Sequence, residues 1–467
     1  MSAFEMKAAA EPTVALLVAD WARLISVAGL GSDEQDQRIL GKLKATQPPP
    51  KPLAPVLSVE GNTVSWTALP GVTTYSFAIV RNPATTRDTS YVTVTGTSYT
   101  PLPIPGETVN YGVAALMPLK GAWAKEVSIT YPAVPSPTVL FSPGLVSGSE
   151  PLDLESAGKL GAKIVRLEWD ISDPPSKLEP VIAAYAARGI RVAPLAGFYG
   201  RIPTTAEALN LATWAKTYGP AGTFWAGRTD GHLAIQTIEL GNETSYSYQY
   251  SIAEDGTITL DPHPETGEPL VHPGAQYGDG PLDASYKARA RVYAQRAREA
   301  AQTLAGTGVG LLVQASDGGS GSSVWVDEMF AVVSDLARFA SGWTIHPYTS
   351  PWGIRMLERM VADLATHGET TLPVDITEFG FATDNGRTLS DGSSRTYPQA
   401  TQQLEAQLPE LHAKAKGHPI RLCLLYQIRD QQPTGKTSNR EAYFGAVQHE
   451  GQSKGPFTEA AKALLAL

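Results

Sequence analysis

The chain has 467 residues, with 42% hydrophobic and 18% charged side chains, 46 acidic against 37 basic residues, and a formal net charge of -9. Because single hydrophobic cores stop growing at roughly 250–300 residues, this length predicts more than one domain. The acidic balance argues against the basic stripe that nucleic-acid binding needs, and the single cysteine, Cys423, excludes a disulfide within the chain.

The first 46 residues are predicted to be helical. Apolar side chains recur at helical spacing between Val14 and Ile25, and a polar helix is expected to follow through Leu43. The stretch does not have the form of a secretory signal, because its apolar run breaks at Asp20, and no stretch reaches the ~20 apolar residues of a membrane span. Residues 47–55, QPPPKPLAP, predict a proline-rich linker.

Residues 56–133 consist of short alternating segments separated by Gly, Pro and Asn turns. About seven short strands in a segment of this length are typical of a β-sandwich. Trp66 in VSWTAL, Tyr75 in YSFAIVR and Tyr111 in NYGVAAL resemble a fibronectin type III module, with Tyr111 at the place of that family's tyrosine corner. The resemblance implies a spacer or binding module, and the segment shows no catalytic pattern.

Residues 138–467 alternate strand-like apolar runs with amphipathic helices. We predict eight strands, at residues 139–144, 163–170, 191–198, 234–243, 309–317, 342–348, 372–380 and 420–428. The helices expected between and after them include residues 177–189, 205–219, 287–306 and 458–467. Eight such units fit a (β/α)8 barrel, in which reactive residues occupy the C-terminal ends of the strands.

Two of the predicted strands end on glutamate. Glu243 follows the fourth strand in IELGNE, and Glu378 follows the seventh in DITEFG, so both would face one barrel mouth. A lone glutamate at a strand end is more often a solvated charge, but two facing carboxylates can divide acid and base roles. A separation of ~5–5.5 Å would suit retaining glycoside hydrolysis and ~6.5–9.5 Å inversion. Strand alternation is expected to place Asp375 on the face opposite Glu378.

Together, the strand-4 GNE and strand-7 ITEFG resemble clan A glycoside hydrolases, nearest to families 39, 51 and 79, over roughly residues 138–467. The resemblance implies that Glu243 is the acid/base, that Glu378 is the nucleophile and that Asn242 holds the sugar 2-hydroxyl. It maps the clan's strand-2 arginine, which orients the nucleophile, onto Arg166. A purely structural pairing of Arg166 with Glu168 or Glu239 stays open, and Glu239 is interpreted as a buried structural charge.

The other candidates line the expected mouth. In the strand-6 sequence IHPY, His346 and Tyr348 resemble clan positions that hold substrate or nucleophile, although His346 could also only pack. Tyr426 stands where the clan usually has a tryptophan sugar platform. Tyr246 and Tyr248, on an unusually long connection after Glu243, are candidates for stacking on sugar faces or for packing the loop. The connection also predicts a small hairpin near residues 251–261.

The sequence therefore predicts a retaining glycoside hydrolase that cleaves a polysaccharide or glycoconjugate. We expect a carbohydrate substrate, no cofactor and no catalytic metal, because no His, Cys or Asp spacing indicates one. The alternative is a non-catalytic glycan-binding or adhesion protein, for example a phage tail or surface component. The N-terminal segment would then join a virion or cell surface, and an extracellular or virion-associated location is expected.

Overall fold

The structure is a computed structural model that describes residues 53–104, 106–118, 120–132, 141–170, 173–197, 202–244, 250–252, 258–260, 284–315, 322–348, 352–415 and 418–467. The predicted helical segment 1–46, most of the predicted linker 47–55 and the boundary between 133 and 138 lie outside these residues and stay predictions. Chain contacts define two compact units. The first runs to Pro101 and includes Thr108–Ile129, and the second comprises Leu102–Glu107 with Thr130–Leu467.

The first unit contains antiparallel sheets, as predicted. Its strands are β1 (Leu57–Glu60), β2 (Thr63–Trp66), β3 (Thr74–Arg81), β4 (Asp88–Val94), β5 (Ser98–Tyr99), β6 (Thr108–Met117) and β7 (Val127–Thr130). They form one sheet in the order β1-β2-β5 and another in the order β4-β3-β6-β7. Phe77 lies 5.8 Å from Trp66 and 5.5 Å from Tyr111 between ring centroids, so a buried aromatic cluster joins the two sheets.

The second unit is a closed parallel barrel, which confirms the predicted fold class. Its strands are β8 (Ser142–Val146), β9 (Ile164–Trp169), β10 (Arg191–Ala196), β11 (Thr237–Leu240), β14 (Gly310–Gln314), β15 (Gly342–Ile345), β16 (Val374–Phe379) and β17 (Ile420–Leu425). They close in the order β10-β11-β14-β15-β16-β17-β8-β9. Each predicted barrel strand overlaps one of these, with shifts of a few residues at the ends.

Helices follow the strands around the barrel. The described ones are α1 (Pro151–Leu160), α2 (Glu179–Ala186), α3 (Thr205–Tyr218), α4 (Ala284–Leu304), α5 (Ser322–Val332), α6 (Trp352–Thr366), α7 (Tyr397–Lys414) and α8 (Pro456–Leu465). Short 3-10 turns lie at Pro175–Lys177, Thr223–Trp225, Gly231–Leu233, Leu336–Arg338 and Arg440–Tyr443. The helices α3 and α7 begin with capping boxes at Thr204 and Thr396, which satisfy backbone N–H groups there.

Two apolar layers hold the barrel together. The larger lies between strands and helices and includes the fully buried Trp214, Trp325 and Trp343. A smaller cluster, formed by Ile164, Leu312, Leu422 and Leu424, fills the barrel interior. The strand positions nearer the C-terminal ends are therefore left for polar side chains.

The long connection after Glu243 contains a two-stranded antiparallel hairpin of β12 (Tyr250–Ile252) and β13 (Ile258–Leu260), as predicted. Tyr246 and Tyr248 lie outside the described residues. Among the described helices, none combines the length and the hydropathy needed to cross a membrane.

Candidate active site

The site is organised by one arginine inside the barrel. Arg166, the third residue of β9, is 2% exposed and donates from three nitrogens to three different side chains. Its Nε lies 2.6 Å from Glu239 Oε2, its Nη1 2.5 Å from Glu378 Oε1, and its Nη2 3.0 Å from Asn242 Oδ1. Burial alone would lower the pKa of Arg166, but the carboxylates of Glu239 and Glu378 outweigh burial and raise it. A single cation thus links β9 to the C-terminal ends of β11 and β16.

A second chain of hydrogen bonds runs from Glu239 to Glu243. Thr377 Oγ1 donates to Glu239 Oε1 at 2.8 Å and lies 3.1 Å from His346 Nε2. The other ring nitrogen of His346, Nδ1, lies 2.9 Å from Glu243 Oε1. Glu239 and His346 are both nearly inaccessible to solvent. The histidine therefore joins the buried carboxylate to the more exposed one at the mouth.

The charges of Glu239 and His346 fix the direction of the hydrogen bonds between Glu239 and Glu243. Burial disfavours protonation of His346, but the surrounding carboxylates, Glu378 first and then Glu239 and Glu243, raise its pKa to about 10. Burial alone would raise the pKa of Glu239, but Arg166 and His346 lower it to about 2. At neutral pH His346 is therefore an imidazolium that donates to Glu243 from Nδ1 and to Thr377 from Nε2.

A tight turn after β11 presents Asn242 and Glu243. Gly241 has φ +77° and Glu243 has φ +49°. Positive φ is unfavourable for a residue with a side chain, and residues in this conformation recur at functional sites. Thr244 anchors the turn, because its N and Oγ1 both donate to Gln314 Oε1, at 2.8 and 2.9 Å. A Cβ at Gly197 would lie 2.6 Å from Gly241 Cα, so only glycine allows the end of β10 to approach so closely.

Glu243 and Glu378 approach each other in the mouth. One oxygen from each, together with one nitrogen of His346, lie within 4.8 Å of one another. The Glu243 side chain is 18% exposed and that of Glu378 is 9% exposed, so both can be reached from the mouth. Two carboxylates that approach this closely could act on opposite sides of one bond.

The same three side chains offer donors that a metal ion could bridge. Two of them are already held by hydrogen bonds, because Arg166 and Tyr348 each donate to one oxygen of Glu378 and His346 contacts Glu243. A protonated His346 has no lone pair left to bind a metal. The contacts of the group are therefore those of an ion-paired hydrogen-bond network, and the absence of a catalytic metal stays a prediction.

An irregularity in β16 brings neighbouring residues to one cluster. The register between β16 and β17 shifts between Ile376 and Phe379. Two successive side chains therefore join the hydrogen bonds around Arg166: Thr377 bonds to Glu239, and Glu378 bonds to Arg166 itself. Asp375, two residues before Thr377, pairs with Arg421 in the buried interior beside Gly342. The expected separation of Asp375 from Glu378 by alternation is wrong, because the irregular strand does not alternate strictly.

An aromatic wall lies beside Glu378. The rings of Tyr348, Tyr426 and Phe444 meet edge to face, with centroids 5.4 to 5.7 Å apart. Burial and the carboxylate of Glu378 raise the pKa of Tyr348 well above its ordinary value, so its hydroxyl keeps a proton and donates to Glu378 Oε2. Tyr426, next to it, is partly exposed.

The structure brings Arg166, Asn242, Glu243, His346, Glu378, Tyr348 and Tyr426 to one mouth, whereas the candidates Tyr246 and Tyr248 lie outside the described residues. Sequence reasoning missed Thr377, Gln314 and Phe444. Thr377 stands inside the quoted ITEFG, but its contacts are with Glu239, 138 positions away, and His346, 31 positions away, which no local pattern shows. Glu239, interpreted as a buried structural charge, is indeed buried and paired with Arg166.

The raised pKa of His346 predicts a pH-dependent contribution to stability. The pKa of His346 rises from about 6.5 to about 10 on folding, so its protonated ring stabilises the folded protein. This stabilisation is fully present below pH ~6.5 and is lost as the pH rises toward 10. We expect the difference in unfolding free energy between wild type and His346→Gln to shrink steadily over this range. Urea unfolding at pH 6 to 10 measures it, and a difference that is constant or grows with pH would contradict the assigned imidazolium.

Comparison with known proteins gives a distant likeness in fold. No family model matches the sequence, and no curated protein matches it. A β-D-glucuronidase of Dictyoglomus thermophilum is 11% identical, with 90% of this chain and 69% of that chain covered and a TM-score of 0.41. A Ruminococcus gnavus β-glucuronidase is 9% identical, with 88% of this chain and 67% of that chain covered and a TM-score of 0.41. A β-glucuronidase from an uncultured Clostridium sp. is 11% identical, with 90% of this chain and 69% of that chain covered and a TM-score of 0.42. Likenesses this remote decide neither the activity nor the substrate of this chain.

Proposed function

We propose that the barrel is a retaining glycoside hydrolase that cleaves a polysaccharide or glycoconjugate by double displacement. The observation that carries the proposal is the close approach of the two side chains in the mouth, where one oxygen of Glu243 and one oxygen of Glu378 lie within 4.8 Å of each other. The membership in clan A that the GNE and ITEFG motifs predict is part of the same proposal.

In the first step, Glu378 would attack the anomeric carbon while Glu243 protonates the departing glycosidic oxygen, which leaves a glycosyl ester on Glu378. Arg166 and Tyr348 each hold one oxygen of Glu378 and so orient the carboxylate for attack. In the second step, Glu243 would take a proton from water as that water attacks the anomeric carbon. The sugar would leave with its original anomeric configuration, and Glu378 would be restored.

The hydrogen bonds assign atoms to these roles. His346 occupies Oε1 of Glu243, so Oε2 is the oxygen that would carry the catalytic proton. Asn242 Oδ1 accepts from Arg166, which leaves its Nδ2 amide to donate to a sugar hydroxyl. A contact to the 2-hydroxyl strengthens toward the oxocarbenium-like transition state and so lowers the barrier. Tyr426, with Tyr246 and Tyr248, would supply ring faces for sugar stacking.

A purely binding barrel is the alternative, and it has less support. Binding sugar needs hydrogen bonds and ring faces, but it does not need two carboxylates within 4.8 Å of each other. The surrounding proposals are a fibronectin type III-like module over residues 56–133, a catalytic barrel over residues 138–467, and an extracellular or virion-associated location.

Substitution of the two glutamates tests the proposal. Wild type is first screened against aryl glycosides and purified polysaccharides to find a substrate. Glu243→Gln should then slow cleavage of unactivated glycosides by about 10²–10⁴-fold, with a smaller loss for dinitrophenyl leaving groups that need no proton. Glu378→Ala should lose hydrolysis of both substrate types, because the attacking carboxylate is gone.

Glu405→Gln, an exposed glutamate on α7, is the matched control and should retain wild-type rates. Full activity of either Glu243→Gln or Glu378→Ala would show that the carboxylate pair is not catalytic. Failure of wild type to cleave any of the glycosides while it binds polysaccharide would favour the non-catalytic alternative.

The hydroxyl of Tyr348 provides a finer test. Tyr348 and Tyr426 belong to the same aromatic wall, and the described contacts include a hydrogen bond to Glu378 for Tyr348 only. Because a hydrogen bond to a charged group contributes about 1.5–3 kcal/mol, Tyr348→Phe should lower kcat/KM by roughly 10–100-fold. Tyr426→Phe keeps the ring and should have a much smaller effect. Equal losses in the two variants would rule out a role for the Tyr348 hydroxyl in orienting Glu378.

A further inference from the structure

Two aromatic side chains lie exposed side by side on the sandwich. Tyr91, on β4, is 63% exposed, and Trp123, between β6 and β7, is 48% exposed. Their ring centroids are 5.8 Å apart, with planes at 42°. Other large rings of this unit, such as Trp66 and Tyr111, are buried. Tyr91 and Trp123 therefore form an exposed aromatic pair on this unit.

The sheet beneath the rings is built from small residues. On β3, Ala78 pairs with Tyr91 of β4 on one side and with Gly112 of β6 on the other. A Cβ at Gly112 would lie 3.5 Å from Cε3 of Trp123, so the indole packs directly against the backbone of β6. Trp123 is thereby held in place while about half of its surface stays open. A ring fixed in advance loses little entropy when a ligand binds.

Polar groups border the rings. Glu126 Oε1 accepts from Arg87 Nη2 at 2.6 Å, and its Oε2 accepts from Asn110 Nδ2 at 2.9 Å. Ser128 Oγ donates to Asn110 Oδ1 at 2.7 Å, which fixes the orientation of the amide. Glu126 Cγ lies 3.8 Å from the same Cβ position at Gly112 that Trp123 contacts, so this network adjoins the indole.

We propose that Tyr91 and Trp123, with Arg87, Glu126 and Asn110 as their polar border, form a glycan-binding surface. A sugar ring has an apolar C–H face that can stack on an aromatic ring, and edge hydroxyls that pair with planar carboxylate, amide and guanidinium groups. The Arg87–Glu126 ion pair balances its own charge, which favours neutral hydroxyls over an ionic ligand.

The small size of the patch also favours a glycan over a protein partner. A stable protein interface buries about 800 Å² on each partner, which two rings with a polar border do not supply. The choice of a glycan rests on the glycosidase function proposed for the barrel. The surface would extend that function to polymeric substrates, because a second contact with the same chain raises its effective concentration.

Binding is tested on the full chain carrying Glu243→Gln, so that the polysaccharide is not consumed. The probes are native gels containing xylan, mixed-linkage β-glucan, galactomannan or hyaluronan, and sedimentation with insoluble cellulose or chitin. At least one should retain the protein, and adding Trp123→Ala or Tyr91→Ala should each weaken that binding about tenfold. Val59→Ala, which removes an exposed apolar group from β1, is the control and should bind as before.

Tyr91 is highly exposed, so Tyr91→Ala keeps the test valid even if Trp123→Ala lowers the unfolding temperature. Retention by none of the six probes, or retention unchanged by both substitutions, would overturn the glycan-binding surface. A dimer in sedimentation velocity that dissociates to monomer in Tyr91→Ala would assign the rings to self-association and would also overturn the glycan-binding surface. Aryl-glycoside cleavage by wild type is scored separately, so a failure of the surface and a failure of the barrel's proposed activity give different results.

Discussion

The buried charge of Arg166 is the constraint on which the candidate site depends. An isolated cation inside a barrel costs several kcal/mol of desolvation, so it must be surrounded by partners. Arg166 meets this need with Glu239 and Glu378 and adds a hydrogen bond to Asn242. Those three partners lie at the C-terminal ends of β11 and β16. The positions of both strand ends are therefore tied to one guanidinium on β9.

Glu239 extends this organisation to the other carboxylate. Thr377 and the imidazolium of His346 surround Glu239, and His346 in turn holds Glu243. Arg166 and His346 carry two positive charges against three carboxylates. Glu239 thus has no direct role in the proposed chemistry but supports both residues that do.

Much of the fold followed from local patterns, because hydrophobic periodicity and turn residues depend on near neighbours. Periodicity predicted all eight barrel strands, and the position of Glu243 and Glu378 at strand ends predicted their convergence on one mouth. Periodicity could not show the irregular register of β16, which placed both Thr377 and Glu378 in the network and made the expectation for Asp375 wrong. Nor could it show that His346 contacts Glu243, since that hydrogen bond joins residues 103 positions apart.

The central claim is that Glu378 forms a covalent bond to the sugar, and trapping that bond tests it most directly. A 2-deoxy-2-fluoro glycoside with an activated leaving group, made for the sugar that wild type cleaves, slows the breakdown of the ester more than its formation. Mass spectrometry of the digested protein should then find one added glycosyl group on the peptide that contains Glu378. A glycosyl group on another residue, or turnover of the substrate with no labelled protein, would contradict the account.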